Sequence, residues 1–512
     1  MLTSTRFSSN PKLPRVMNPI RFCVLLLIGT FAAAMPVNLS AGTPPVDIGN
    51  RLELFVDRYL IDTLEGTELR LGHPEQREIV MRFDLPWEIP FSGAHTVIKD
   101  GDVYRMYYRG GNTDARGEYD DTAEVTCYAE SRNGINWVKP ILGLHEYRGN
   151  KANNIILPPS NERRLSHNFA PFLDTRPGVP ANERFKGVGG THKNGLFRLV
   201  SADGINWRLF SPEPIFHGYA LDTLNVAMWS PAEEVYVAYI RTWSDGGTLE
   251  NPKFRGYRTI SRSISKDFVT WSKPEPMSYG DTPPEHIYTN ATHPYFRAPH
   301  ILISLPFRYE PLRKVLSDAE HRTLLTHYTQ RIGISDAILM TSRGGTTYDR
   351  TFLEAFIRPG LERGAWGARS NLPGLGVVQT GPTEMSLYLT THHTMRDYHM
   401  RRYTLRIDGF ASVNAPYSGG VMITKPLVFS GGRLVLNYST SSVGSLKVEI
   451  TDESGKALPG FSLEDSDEII GDEIARTVSW KTQTDLSALA GRPVRLRFVM
   501  KDADLYSLQF QP

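Results

Sequence analysis

The seven residues SRNGINW at 131–137 return almost unchanged as SADGINW at 201–207, about seventy residues further on. A chain that repeats one local phrase at such a period is built from copies of one supersecondary unit. Asn-Gly or Asp-Gly after a strand is a strong hairpin signal, because these residues tolerate positive φ. The tryptophan that follows opens the return strand and brings a large ring for packing between sheets. Three looser variants extend the series: SKDFVTW (265–271), SRGGTTY (342–348) and RIDGFASV (406–413).

Before each variant lies an alternating, aromatic run: YRMYYRGG (104–111), RFKGVGG (184–190), EVYVAYIRTW (234–243), ILISLPFRY (301–309) and MSLYLTTHH (385–393). Short openers such as HTVIKDGD (95–102), FAPFLDT (169–175) and LNVAMWS (224–230) precede those runs. Strand, short turn, strand, long loop, strand, Asp-Gly turn, strand therefore recurs roughly every 60 to 75 residues, which is the pattern of a β-propeller. The expected fold class is all-β: a five-bladed β-propeller over 85–416, followed by a β-sandwich over 417–512. Segments such as LVLNYST (434–440) and PVRLRFVM (493–500) supply the period-two alternation of the sandwich. Residues 42–84 are read as a segment leading into the propeller.

This blade pattern resembles the five-bladed propellers of the invertase, arabinanase and levansucrase superfamily of glycoside hydrolases, the glycosyl hydrolase family 32 N-terminal-like type. The resemblance implies a carbohydrate-active enzyme, and the C-terminal sandwich fits it. The Ser-x-Asp-Gly spacing departs from sialidase Asp boxes, which carry an extra residue between Asp and Gly. The resembled enzymes place an Asp on the innermost strand of the first blade, a second Asp on another inner strand, and a Glu acid. Here the first inner strand opens as FSGAHTV, with His95 and no Asp, and Glu88 is the nearest acid upstream.

Charge excludes one class. With 57 basic and 55 acidic residues and a net charge of +2, the chain lacks the excess of a general nucleic-acid binder. The N-terminus reads as an export signal over 1–41: basic residues flank Met17, Phe22 to Ala34 is apolar, and small residues follow to Ala41. The expected location is secreted or periplasmic, with no stable membrane span after cleavage. Of two cysteines, Cys23 lies in that signal, leaving Cys127 alone as a small buried hydrophobe with no disulfide partner. No cofactor is expected. The acidic loop Asp114, Glu118, Asp120 and Asp121 could hold calcium, against the reading of a solvated loop.

Antiparallel strands put the loops between second and third strands on one face with the blade-to-blade connections. Those loops are mostly long, so that face should carry the site. The insertion SDAEHRTLLTHY (317–328) carries a capping-box pattern and reads as a short helix, either a lid or a rim element. Glycosidic cleavage needs two carboxylates across the bond. Asp222, opening the third inner strand, is the first candidate, and Glu124, Asp336 and Glu88 compete for the partner role. Glu384 follows a short turn, towards the opposite face, and ranks as a substrate contact. Second strands end at Arg109, His192, Arg241, Arg308 and the pair His392–His393. Inner openings supply His95, His167, Asn168, Asn225, His293, Arg297 and His300. Arginine forks suit carboxylate, sulfate or phosphate, so the arginines point to an anionic sugar or to phosphate itself. Two rivals remain: a non-catalytic carbohydrate-binding propeller and a glycoside phosphorylase. Oligomeric state is not legible.

Overall fold

A computed structural model describes residues 44–88, 92–113, 119–160, 162–246, 255–325 and 332–512. Five antiparallel sheets form the propeller. The first holds Gly93–Asp100, Val103–Thr113 and Tyr119–Ser131, with Trp137–Val138 and Ile155–Leu157 both paired to the third strand. The second and third are regular four-stranded blades, over 170–209 and 226–276. In the fourth, both middle strands are interrupted: Ala298–Ser304 continues as Phe307–Glu310, and Ile334–Ala337 as Met340–Ser342. The fifth takes its outermost strand from Glu75–Arg82, which pairs with His399–Arg406 and closes the ring with chain from upstream of the first blade.

The repeated phrase turns out to be a blade-to-blade dock. In the first copy Ser131 Oγ accepts from the N–H groups of Asn133 and Gly134, and Asn133 Oδ1 accepts from those of Ile135 and Asn136. Ser201 and Asp203 reproduce these bonds in the second copy. Each tryptophan donates its indole N–H to the glycine carbonyl, at 3.2 Å from Trp137 and 3.0 Å from Trp207. Only the glycine takes positive φ, +72° at Gly134 and +77° at Gly204. The Asn or Asp acts instead through its side chain, as an Asx turn, which corrects the expectation of positive φ at both positions. Trp207 packs edge-on against Tyr107 of the preceding blade, and Trp137 against Tyr388 of the fifth. A Cβ on Gly204 would stand 2.6 Å from the Tyr107 hydroxyl. So the glycine is required twice, by its backbone angle and by the neighbouring blade.

The C-terminal unit is one hydrogen-bonded sheet of eight strands. Its spine is the pair Arg433–Thr451 and Arg495–Gln511, joined along nearly their whole length. Register breaks at Asn437/Tyr438 and Thr440/Ser445 bend that pair. The sheet also takes in Ala411–Ala415 and, from before the propeller, Glu53–Leu54, Ile61–Glu65 and Glu68–Leu71. The sheet therefore starts earlier than residue 417, and part of the 42–84 segment belongs to it. A separate apolar core, with Trp480, Phe498 and Phe510 at its centre, fills it.

Polar bonds fasten this sheet to blade four. Arg343 meets Asp57 and Glu53 at 2.7 Å each, His300 meets Glu53 at 3.1 Å, and Arg297 meets Asp408 at 2.6 Å. Arg297 and His300, expected at a ligand, instead join two parts of the fold. Their strand opens on the side of blade four that the C-terminal sheet covers.

Candidate active site

The blade-to-blade connections and the ends of the second strands meet on the long-loop face in a recess of about 410 Å³. All five blades contribute to its wall: Glu124 from the first, His167 from the second, Asp222 from the third, Tyr288 from the fourth and His393 from the fifth. Arg109 and Asn168 line it too, joined by a hydrogen bond of 3.0 Å.

His167 organises the floor. Its Nδ1 lies 2.7 Å from Glu124 Oε2 and its Nε2 lies 2.8 Å from Asp222 Oδ1. A carboxylate oxygen accepts, so a ring with one at each nitrogen must donate from both, as the imidazolium. Burial works against that charge, but Glu124 and Asp222 outweigh it and raise the His167 pKa. Glu124 is 2% exposed and also accepts from Arg164 at 2.9 Å, with Arg109 at 3.5 Å. Asp222 differs. Its side chain is 53% exposed, so solvent screens the charges around it in part. Burial opposes its ionisation, yet the hydrogen bond and charge of His167, with Arg241 and Arg109, hold the carboxyl well below the usual range. The recess thus presents an ionised, reachable carboxylate backed by a buried His–Glu–Arg chain.

The remaining histidines of the wall are neutral. Burial, with Arg369 and Arg109 nearby, pushes His393 down to about 3. Burial lowers His192 as well, reinforced by Lys193 and Arg241 against the pull of Asp222. Arg241 donates to the Ala220 carbonyl at 2.8 Å and lines the adjoining cavity beside Asp222.

The other expected site residues lie elsewhere. Glu88 is buried, with the Tyr108 hydroxyl on one oxygen and, on the other, Lys139 at 2.6 Å and the N–H groups of Asp84 and Leu85. Asp336 grips Arg308 with both oxygens, at 2.9 and 2.7 Å, and the two line a separate cleft with Glu285. His95 is fully buried, donating Nε2 to the Tyr388 carbonyl, and burial holds it down at about 4. Asn225 accepts from the Arg241 N–H and donates to the Leu221 and Thr223 carbonyls, inside the wall. His293 bridges the Ala291 carbonyl and the Val377 N–H and lines a different cavity. Glu384 pairs with Arg402 at 2.8 Å, and His392 with Asp397 at 2.7 Å and Glu362 at 3.2 Å. These side chains are taken up by bonds within the fold and do not line the recess.

Arg164, Lys193, Tyr288 and Arg369 line the recess without having been singled out. Three of them lie in blade-to-blade connections a few residues before an inner strand, and the fourth beside His192; the face argument already placed these stretches at the mouth. The helix is present at Asp318–Leu324 with its Ser317–Glu320 capping box, and Glu320 meets Arg363 at 2.6 Å. Of the acidic loop, Asp114 and Glu118 lie outside the described residues, and Asp120 is turned onto Thr122. Among the described residues no cluster of metal-ligating groups occurs. Cys127 is buried. The expected export signal lies outside the described residues, among which no helix is long and apolar enough to cross a membrane.

No family model and no curated protein matches the chain. Solved structures do. One described as a glycoside hydrolase aligns over 65% of this chain and 92% of its own, with 12% identity and a TM-score of 0.43. A beta-1,2-mannobiose phosphorylase from Listeria innocua aligns over 65% and 94%, with 11% identity and a TM-score of 0.39. A GH32 beta-fructofuranosidase from Bombyx mori aligns over 87% and 94%, with 10% identity and a TM-score of 0.36. Each match is a match of fold. The five blades themselves rest on the strand pairing of this chain.

Proposed function

We propose that this protein is a carbohydrate-active enzyme that cleaves a glycosidic bond in a poly- or oligosaccharide, with Asp222 as the carboxylate that meets the substrate. The observation that carries this reading is the pairing of an ionised, half-exposed Asp222 with a buried imidazolium at the mouth of the propeller. Catalytic carboxylates need a fixed orientation and a defined charge before substrate arrives. The His167–Glu124–Arg164 chain supplies both. A carboxylate held ionised acts as nucleophile or base in hydrolysis, with the glycosidic C–O bond breaking as the new bond to the anomeric carbon forms. Glu124 is a positioning residue here, since its two oxygens are already taken by cations. The arginine-rich wall suits an anionic sugar. The apolar run 22–34 ahead of small residues supports export.

One observation favours a second reading. Among the described residues that line the recess, the carboxylates are Glu124 and Asp222, and just one of them is reachable. A phosphorylase needs a single protein carboxyl, because phosphate supplies the nucleophile. Phosphate beside Arg241 would also cancel charge that holds Asp222 low, letting it donate a proton. A reducing-sugar assay on neutral, uronic and sulfated glycans, with and without phosphate, tests both readings beside Asp222→Asn. Turnover lost in the variant supports the enzyme, and phosphate dependence selects the phosphorylase. Binding of a glycan with no turnover on any of them would replace both with the non-catalytic binder.

A further inference from the structure

Beyond Asp222 the recess continues into a smaller cavity of about 200 Å³, walled by Arg241, Arg258, Arg369, Tyr288 and Trp243. Three guanidinium groups face one ring there. Arg258 lies 5.0 Å from the centroid of Tyr288, Arg241 5.1 Å and Arg369 5.6 Å, and Arg258 is also 4.7 Å over Trp243. Several arginines elsewhere in the fold are matched by carboxylates: Arg262 with Glu233, Arg308 with Asp336, Arg343 with Asp57 and Arg402 with Glu78. Among the described residues, neither Arg241 nor Arg258 has such a partner. Arg241 Nε is spent on the Ala220 carbonyl. Arg258 reaches only His286 Nδ1, at 3.4 Å, and its Nε is buried with no acceptor. Asp222, at the junction with the larger recess, is the one carboxylate among the described residues of this cavity's wall.

Holding like charges together costs free energy that the aromatic faces only partly offset. An oxyanion of matching size would recover it through charge-assisted, forked hydrogen bonds. We propose that this arginine cage is the subsite for an oxyanion carried on the sugar next to the scissile bond, a carboxylate or a sulfate ester. The proposal rests on the catalytic reading of Asp222 for the words "scissile bond", but not for the binding itself. Inorganic phosphate presents the same chemistry, and the test separates the two sources. The Tyr288 and Trp243 rings pack against these guanidinium groups on the same cavity wall.

Isothermal titration of the full chain with inorganic sulfate, inorganic phosphate, glucuronate and glucose tests the cage directly. The oxyanions should bind and glucose should not. Arg258→Met should weaken oxyanion binding about tenfold or more, the loss of one charge-assisted contact. Arg241→Met provides an independent second variant. Asp222→Asn should bind oxyanions more tightly, because it removes a negative charge from the wall. Glucuronate or a sulfated sugar binding more tightly than inorganic phosphate supports a sugar-borne group, and the reverse order overturns it in favour of free phosphate. No oxyanion binding by the wild-type chain, or wild-type affinity in both arginine variants, overturns the cage altogether. Oxyanion binding without turnover of any glycan would sink the enzyme reading alone. Turnover of glycans without oxyanion binding would sink the cage alone.

Discussion

His167 Nε2 lies 2.8 Å from Asp222 Oδ1, across the line where blade two meets blade three. The bond links a ring that is 8% exposed to a carboxylate that the recess leaves open, so one partner is fixed by packing and the other is available to a ligand. Asp222→Asn keeps the shape and loses the charge. It should lower kcat by about 10²- to 10⁴-fold, the usual contribution of a positioned acid or base. A thermal midpoint within a few degrees of wild type, read alongside, would place the loss in chemistry rather than folding.

The same pair predicts a pH signature. The His167 pKa is raised in the folded state, burial being outweighed by Glu124 and Asp222. Its contribution to stability is therefore full below the unfolded histidine value of about 6.5 and is lost as pH rises through the higher folded value. Asp222 is lowered, so its contribution is present above about 4 and is lost as pH falls. Histidine resonances followed by NMR should show His167 still protonated above the ordinary value. Asp222→Asn should bring that titration down. An unshifted His167 in the wild-type protein would contradict the imidazolium bridge.

Glu124 gives a third test, through stability. It is buried with cations on both oxygens, and removing one of them leaves part of its charge unpaired. His167→Gln retains a donor on only one side and should cost about 1–3 kcal/mol of unfolding free energy. Urea denaturation at neutral pH measures it. A variant as stable as wild type would mean that Arg164 alone satisfies Glu124.

The blades were legible because a propeller writes its architecture locally: Ser131 to Trp137 and Ser201 to Trp207 are self-contained turns whose bonds lie within seven residues. The third copy shows the limit, since Phe268 takes the glycine position at φ +64° and is held there by burial against Phe172 and Tyr236. The site was legible only where strand order decides direction, as for Asp222 and His167. It was not legible where long-range pairing consumes a side chain. Arg297 at an inner opening and Arg308 at a second strand carry the same local signal as Arg109, but Asp408 is 111 residues away from the first and Asp336 is 28 from the second. No local pattern announces those partners. The ring-closing strand Glu75–Arg82 is hidden for the same reason, because its partner lies at the far end of the propeller.

The repeat's glycine can be tested apart from its backbone angle. Gly204 has φ +77° and a virtual Cβ 2.6 Å from the Tyr107 hydroxyl, whereas Gly178 has φ +75° and open space around it. Alanine at 178 meets only the left-handed backbone and should cost about 1 kcal/mol. Alanine at 204 must also push the docked blade away, adding about 1–3 kcal/mol for overpacking. Paired urea denaturation curves compare them. Equal losses would mean that the turn does not clamp blade two to blade one.

Arg343 carries the last prediction, about the joint between the propeller and the C-terminal sheet. Its guanidinium serves Asp57 and Glu53 together, at 2.7 Å each, while its face lies 3.9 Å over the Tyr59 ring. Glu53 is wholly buried. Burial opposes its charge, yet His300, Arg343 and Arg51 together bring its pKa down to about 2. A lowered carboxylate stabilises above its unfolded value of about 4.3 and loses that contribution as pH falls towards 2. Arg343→Met removes the cation and leaves two buried acids facing each other's charge, so the folded state should lose about 3–5 kcal/mol at neutral pH. Acidification towards the range where Glu53 takes up its proton should narrow the gap between variant and wild type, the opposite of a simple packing defect, whose cost is indifferent to pH. Denaturation curves at pH 7 and at about pH 3 separate the two. A gap of the same size at both would assign Arg343 to packing on Tyr59 rather than to charge.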